Sequence, residues 1–254
     1  VTVRFVQPAI IGSSVTMIPA VSAGTMNTLR FSCRLPAGSV IASTYICSGS
    51  YPPPTNVFVP FKRYLSGDVK KACELAHAFE TKLIRGFSFY HPRDTDPRPH
   101  LSQAIDQLGQ IAEACHRSDL TFGLEIEANL IGQSGELLVE IARKVNHPAM
   151  VLIFDAANIL CQGFTAEGVF EQYKAMKPYI GWMHIKDYRH PKPPQRVGHI
   201  DEDAIKNFVP SDIGHSGHEA ILRDFREQIV KLDAKLKKRG IPGVFLDLEP
   251  HVKG

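Results

Sequence analysis

Four short apolar runs in this 254-residue chain each end in an acid or a histidine, and they recur about one strand-plus-helix unit apart. They are GLEIE at 123–127, IFDA at 153–156, WMHIKD at 182–187 and FLDLEPH at 245–251. From Glu125 to Asp155 is 30 residues, from Asp155 to His184 is 29, and from His184 to Glu249 is 65, with a long loop between them. A barrel of βα units advances by roughly this step and gathers its strand ends at one face. Residues remote in sequence then meet at one point.

The segments between these runs carry the other half of the pattern. Apolar residues at 101, 104, 105, 108, 111, 112 and 115 fall on one face of a helix. A helix is also expected over 135–145, ended by His147 and Pro148, over 166–176 with Thr165 as its cap, and over 218–238. Strands are expected at 83–89, 122–126, 150–154, 180–184 and 243–248. Earlier in the chain, 3–6 and 40–47 read as strands, and 25–35 and 57–79 as helical. This order argues for a parallel sheet with helical crossovers. The fold expected is a single α/β domain over residues 1–254, a (β/α)8 TIM barrel. Seven strands are legible where a closed barrel has eight. The expectation is therefore a barrel lacking its first βα unit and its last helix, incomplete at both ends.

Bulk properties narrow the function. A formal charge of +3 is too mild to argue for nucleic acid. The basic stretch KLDAKLKKR at 231–239 reads as the solvated face of a helix. No apolar run reaches the ~20 residues of a membrane helix, and residues 1–6 lack a leader pattern. Five cysteines, an odd number with no CxxC pair, point to reduced and mostly buried thiols and a cytoplasmic setting.

Side chains alternate across a strand, so Glu125 shares a face with Glu127, His184 with Trp182 and Ile180, and Glu249 with Asp247. An acid closing an apolar strand is costly to bury unless it is paired or bound to a metal. Taken singly, each of these residues reads as a salt-bridged or capping group. Four at successive strand ends, Glu125, Asp155, His184 and Glu249, make a cation site. Glu127 is the alternative to Glu125. Three carboxylates and one imidazole suit one divalent cation, with Mn2+, Mg2+ or Co2+ favoured and Zn2+ admitted. His215 and His218, in GHSGH at 214–218, read as loop or structural residues, with Ser216 as a helix cap. His251 stands beside the site mouth or on the surface.

FDAAN at 154–158, HIKD at 184–187, LEPH at 248–251 and the glycine-containing turn over 214–222 together resemble the xylose-isomerase-like superfamily of metal-dependent sugar isomerases and epimerases. The resemblance runs from about residue 83 to the end. It implies one divalent cation at the C-terminal face of a (β/α)8 barrel, held by Glu125, Asp155, His184 and Glu249. It implies that Glu125 and Glu249 also exchange protons with substrate, and that Asn158, Lys186, Asp187 and His251 contact substrate or support the ligands. The absent first βα unit, whose loop often helps to bind substrate, is the departure from the family pattern.

The expected activity is that of an isomerase or epimerase acting on a sugar or a sugar-derived keto acid. No Gly-rich phosphate loop is evident, which favours an unphosphorylated substrate. The long 187–217 loop is expected to cover the site. Rival readings are a metal-dependent dehydratase of a sugar or cyclitol keto compound, a non-catalytic truncated barrel and an abasic-site endonuclease. The partner expected is a small-molecule sugar, with no nucleic acid and no membrane. Homo-oligomer formation stays open.

Overall fold

The computed structural model describes residues 57 and 60–249, and the backbone of 15–18, 30–34 and 40–44. The strand expected at 3–6 and the site residue His251 lie outside the described residues. The strands are β1 (Val15–Ile18), β2 (Arg30–Arg34), β3 (Val40–Thr44), β4 (Leu83–Phe87), β5 (Thr121–Glu125), β6 (Met150–Asp155), β7 (Ile180–Ile185), β8 (Asp187–Tyr188), β9 (Phe208–Val209) and β10 (Phe245–Leu248). The helices are α1 (Phe61–Tyr64), α2 (Lys70–Ala78), α3 (Leu101–Arg117), α4 (Gly135–Val145), α5 (Ala156–Leu160), α6 (Ala166–Met176) and α7 (His218–Lys238).

One sheet runs in the order β1-β2-β3-β4-β5-β6-β7-β10. From β3 to β10 every pairing is parallel. The pairings β1–β2 and β2–β3 are antiparallel, unlike the all-parallel order expected. The segment 25–35, expected as helical, contains β2 instead. Its RFSCR sequence alternates polar and apolar residues, the period of a strand.

The helices end where local chemistry stops them. Ser134 Oγ accepts from Leu137 N–H at the start of α4, and Asn146 closes that helix in the left-handed conformation with φ 43°. Thr165 caps α6 by accepting from Gly168 N–H. Leu108, Ile111, Leu138, Ile141, Val169, Tyr173, Ile221 and Phe225 line the helices' inner faces and pack on the sheet's outer face. On α7 the lysines at 231, 235, 237 and 238 are exposed while Leu232 and Leu236 are buried, as the sequence pattern implies. Cys73, Cys115 and Cys161 are free and buried. Among the described residues, no helix is long and apolar enough to cross a membrane.

The sheet is curled, and two contacts across its concave side show it. Leu83 of β4 clusters with Ile153 of β6, Trp182 of β7 and Phe245 of β10. Arg85 of β4 reaches Glu249, just past β10, at 2.6 Å. A flat sheet would hold β4 and β10, four strands apart, about 19 Å from each other. The inward layer closes because Gly123 leaves room for its neighbours. A Cβ there would lie 2.7 Å from Ile153 Cδ1 and 3.2 Å from Trp182 Cε3.

A register shift between β6 and β7 decides what stands above this layer. Leu152 pairs with Ile180, but Ile153 pairs with Trp182 and Asp155 with His184. The extra residue is a bulge, which re-aims the side chains that follow it. Ile180 therefore packs in the outer core while Trp182 faces inward, which corrects the shared face read from strict alternation.

Candidate metal centre

The C-terminal ends of the strands carry the charged residues. Ligand atoms of Glu125 on β5, His184 on β7 and Glu249 after β10 lie within 4.8 Å of one another. His184 Nε2 is 3.6 Å from Glu125 Oε2, and both side chains are fully buried. Three of the four expected ligands thus share one point. The fourth, Asp155, is buried beside them but engaged differently. Its Oδ1 accepts from Asn158 N–H at 2.9 Å, capping α5, and its Oδ2 lies 2.9 Å from Lys186 Nζ.

Two fixed cations thread the carboxylates. Arg85 Nε pairs with Glu125 Oε2, and its Nη1 donates to Glu249 Oε1 at 2.6 Å. Lys186 Nζ donates to Glu249 Oε2 at 2.9 Å. Arg85 escaped the sequence reading, although a lone charge inside Leu83-Ile-Arg-Gly-Phe87 is the same signal that flagged the acids. The sequence marks Asp247 only as sharing a strand face with Glu249. Its Oδ1 accepts from Trp182 Nε1–H at 2.6 Å and lies 3.1 Å from His184 Nδ1.

Asn158 is buried, and its amide donates to Glu125 Oε1, Glu127 Oε2 and the Ile126 carbonyl, each at 3.1 Å. That role is to hold the two glutamates apart and in place. Glu127 turns back on its own loop, its Oε1 accepting from Ala128 N–H at 2.8 Å. The geometry thus assigns Glu125 to the cluster and Glu127 to its rim.

Asp187 points away from the cluster into the backbone. Its Oδ1 accepts from Ser216 N–H at 3.0 Å and its Oδ2 from Gly214 N–H at 3.2 Å. A Cβ at Gly214 would lie 2.1 Å from Asp187 Oδ1, so this turn needs glycine. His218 Nε2 lies 2.9 Å from the Lys186 carbonyl, and His190 N–H donates to His215 Nδ1. Both histidines fasten chain segments, as expected of structural residues. The 187–217 segment is folded rather than irregular, with β8 paired to β9 and Ile200 clasped through both backbone groups by the Asn129 amide.

Electrostatics follow from the count. Among the described residues, the carboxylates of Glu125, Glu127, Asp155, Asp247 and Glu249 gather around Arg85 and Lys186. Burial pushes Glu125 up, but Arg85 and His184 outweigh it and hold this carboxyl below its usual range. Burial raises Glu127 to about 8, aided by the charges of Glu125 and Asp155. Burial likewise raises Asp155, and raises Asp247 well above the usual carboxylate range. Burial alone would lower Lys186; Asp155, Glu249, Glu125 and Glu127 reverse that and raise it. Surplus buried carboxylate beside one imidazole is the donor chemistry of a hard or borderline divalent cation, and the residues fit one.

Known proteins share this architecture. No curated protein sequence matches the chain. Among solved structures, the probable 3-DHS dehydratase AsbF from Bacillus anthracis aligns with TM-score 0.58 and 16% identity, over 78% of this chain and 68% of that one. A xylose isomerase-like TIM barrel protein from Mycobacterium smegmatis, in complex with magnesium, aligns with TM-score 0.53 and 16% identity, over 76% and 61%. The IOLI protein with a bound zinc atom aligns with TM-score 0.56 and 16% identity, over 78% and 64%. This chain thus spans about two thirds of their lengths, and at these identities the likeness is one of fold. The sequence profile of the xylose isomerase-like TIM barrel matches residues 63–252, three quarters of the chain, and the chain belongs to that family.

Proposed function

We propose that this chain is a divalent-metal-dependent isomerase or epimerase of a sugar or sugar-derived keto acid, with Glu125 and Glu249 as the proton-transfer pair. The observation that carries the reading is the meeting of Glu125, His184 and Glu249 within 4.8 Å at the strand ends. Those three residues would hold the cation, and Asp155 would join them by exchanging its Lys186 contact. The cation supplies Lewis-acid polarisation of a substrate carbonyl.

The chain's own residues do the rest. One glutamate removes the proton from the carbon beside the carbonyl, and the other returns a proton to the neighbouring carbon or to the opposite face. General acid–base catalysis of this kind contributes roughly 10²–10⁴-fold. Arg85 and Lys186 offset the negative charge that develops on the substrate oxygens, from fixed positions that need no reorganisation. Asn158 keeps Glu125 aimed. Phe208, in the 187–217 segment, stacks on the Lys186 ammonium at 5.3 Å.

The test combines elemental analysis with a substrate panel in D2O. About one divalent ion per chain, lost in His184→Ala, together with carbon-bound deuterium in an isomerised or epimerised product, supports the reading. Growth of ultraviolet absorbance from an enone, without isomer, would assign the chain to dehydration instead. An ion content near zero in both proteins after metal soaking would remove the metal reading.

A further inference from the structure

The reaction just described uses nothing at the opposite end of the strands, yet a cavity of about 310 Å³ opens there. It lies where β6 begins, between the end of α4, the turn before β7 and the last turns of α7. Ala142, Val151 and Leu152 supply an apolar wall, and Tyr179, Lys235 and Arg239 stand around it. Its volume sits at the small end of the ~300–1,000 Å³ typical of ligand pockets.

Arg239 is the unusual member. Its Nε donates to the Pro148 carbonyl at 3.1 Å, and its Nη2 to the carbonyls of His147, Pro148 and Met150 at 3.1, 2.7 and 2.8 Å. These bonds clasp the end of α7 to the start of β6. They leave the other terminal nitrogen, Nη1, without a partner among the described residues. The clasp accounts for the side chain's position but not for its charge, because carbonyls are dipoles and carry no counter-charge. Elsewhere on α7, Arg223 pairs with Glu219 and Lys237 with Asp233. Among the described residues no carboxylate pairs with Arg239, and Lys235 donates only to the Pro178 carbonyl, at 3.3 Å. Burial, with no acid opposing it, pulls Arg239 below its usual range. Lys235 and Arg239 also stand four residues apart on one helix face, where like charges repel. Glu113 reaches His147 at the cavity's rim, but its two oxygens are taken by Arg117 Nε and His147 Nε2.

We infer that this cavity is a second binding site, for a small organic anion: an oxyanion between Lys235 and Arg239, its apolar body against Ala142, Val151 and Leu152. A phosphate or carboxylate there relieves the repulsion between the two cations and accepts from the unused Nη1 donors. Charge-assisted hydrogen bonds of this kind are short and strong. In βα barrels the N-terminal face of the strands serves stability rather than chemistry. The occupant is accordingly not the substrate but a ligand that steadies the folded chain. The site stands independently of the metal-centre reading.

The test uses the full chain, metal-free, labelled with 13C-methyl methionine. Met150 lines the cavity, is one of five methionines and is assigned by Met150→Leu. Met183, next to His184 in the chain, reports on the strand-end cluster. The probes are phenyl phosphate, benzoate and, as a neutral match, benzyl alcohol. The expected result is a saturable shift of the Met150 signal with at least one anion, with a dissociation constant of ~1 mM or below. The alcohol should leave it unmoved, and the tighter of the two anions names the oxyanion. Lys235→Glu places a carboxylate within reach of Arg239 and should weaken anion binding at least ~10-fold. A Met150 signal that neither anion moves at several millimolar overturns the proposal. So does an equal response to benzyl alcohol, a response confined to Met183, or unchanged affinity in Lys235→Glu. If that variant does not fold, the contrast between anions and alcohol in the natural chain still decides.

Discussion

Replacing Arg85 with methionine removes the guanidinium that joins Glu125 to Glu249 and keeps much of the side chain's volume. The pairs it breaks are shielded from water, with Arg85 6% exposed, Glu125 0% and Glu249 14%. Removing one partner of a buried pair typically costs about 3–5 kcal/mol. Glu249 keeps Lys186 at 2.9 Å, so the charge left stranded is mainly that of Glu125. The lower end, about 3 kcal/mol, is therefore expected rather than a doubled penalty. At ~2–4 °C per kcal/mol for a chain of this size, that lowers the melting temperature by about 6–12 °C in chelator. The pH dependence has a definite sign. Arg85 helps to hold Glu125 below its ordinary 4.5, so its contribution is present above that value and fades as pH falls through the folded pKa. The gap between the two proteins should accordingly narrow under acid conditions. Excess zinc or manganese should also narrow it, because a cation replaces the lost positive charge. Thermal unfolding in chelator, then with metal, reads all of this. A variant melting within about 2 °C of the natural chain in chelator would refute the argument that this arginine neutralises the glutamates.

Three further outcomes follow from other features. Glu127, raised from 4.5 to about 8, binds a proton in the folded chain that the unfolded chain releases, so it costs stability as pH rises between those values. Glu127→Gln should flatten that slope, by up to about 1.4 kcal/mol per pH unit, and an unchanged slope in metal-free unfolding curves sinks the assignment. Gly123→Ala should destabilise by about 1–3 kcal/mol through overpacking against Ile153 and Trp182, measured by denaturant titration on Trp182 fluorescence. A variant as stable as the natural chain would mean that the inward layer has room to spare. Asn146, at φ 43°, should lose about 1 kcal/mol on change to Ala and nothing on change to Gly. Equal melting temperatures for Ala and Gly there would count against a strained helix end.

The sequence disclosed the parallel βα core because its periods are strong and local. The α4 and α7 limits expected from periodicity and breakers coincide with those observed, and α3 runs two residues longer. The positions of Glu125, Asp155, His184 and Glu249 at strand ends were legible for the same reason. What was hidden depends on relations between strands. The bulge that turns Ile180 outward and sets His184 opposite Asp155 is a feature of pairing, which no single strand encodes. Arg85 and Asp247 join the site only because the sheet curls, bringing β4 within reach of the residue after β10. The helix expected at 25–35 was misread where a five-residue alternation, RFSCR, outweighs weak helical spacing.

The curl also explains why the charges gather where they do. Beneath them, Leu83, Ile153, Trp182 and Phe245 form an apolar floor, and Gly123 lets that floor close without a gap. A carboxylate cannot sink into such a layer, so Glu125, Asp155 and Asp247 must find partners sideways, among themselves and with Arg85, His184 and Lys186. Among the described residues, carboxylates outnumber the two cations that pair with them, Arg85 and Lys186. Folding can relieve the surplus in two ways, by keeping protons, as Glu127 does at about 8, or by admitting a cation. The two are linked, because each cation bound must release protons held in its absence. Proton release on metal addition, measured by weakly buffered titration, is therefore the direct consequence of this floor. A chain that binds a divalent ion without releasing protons at neutral pH would mean that the carboxylates are already neutralised by contacts other than these.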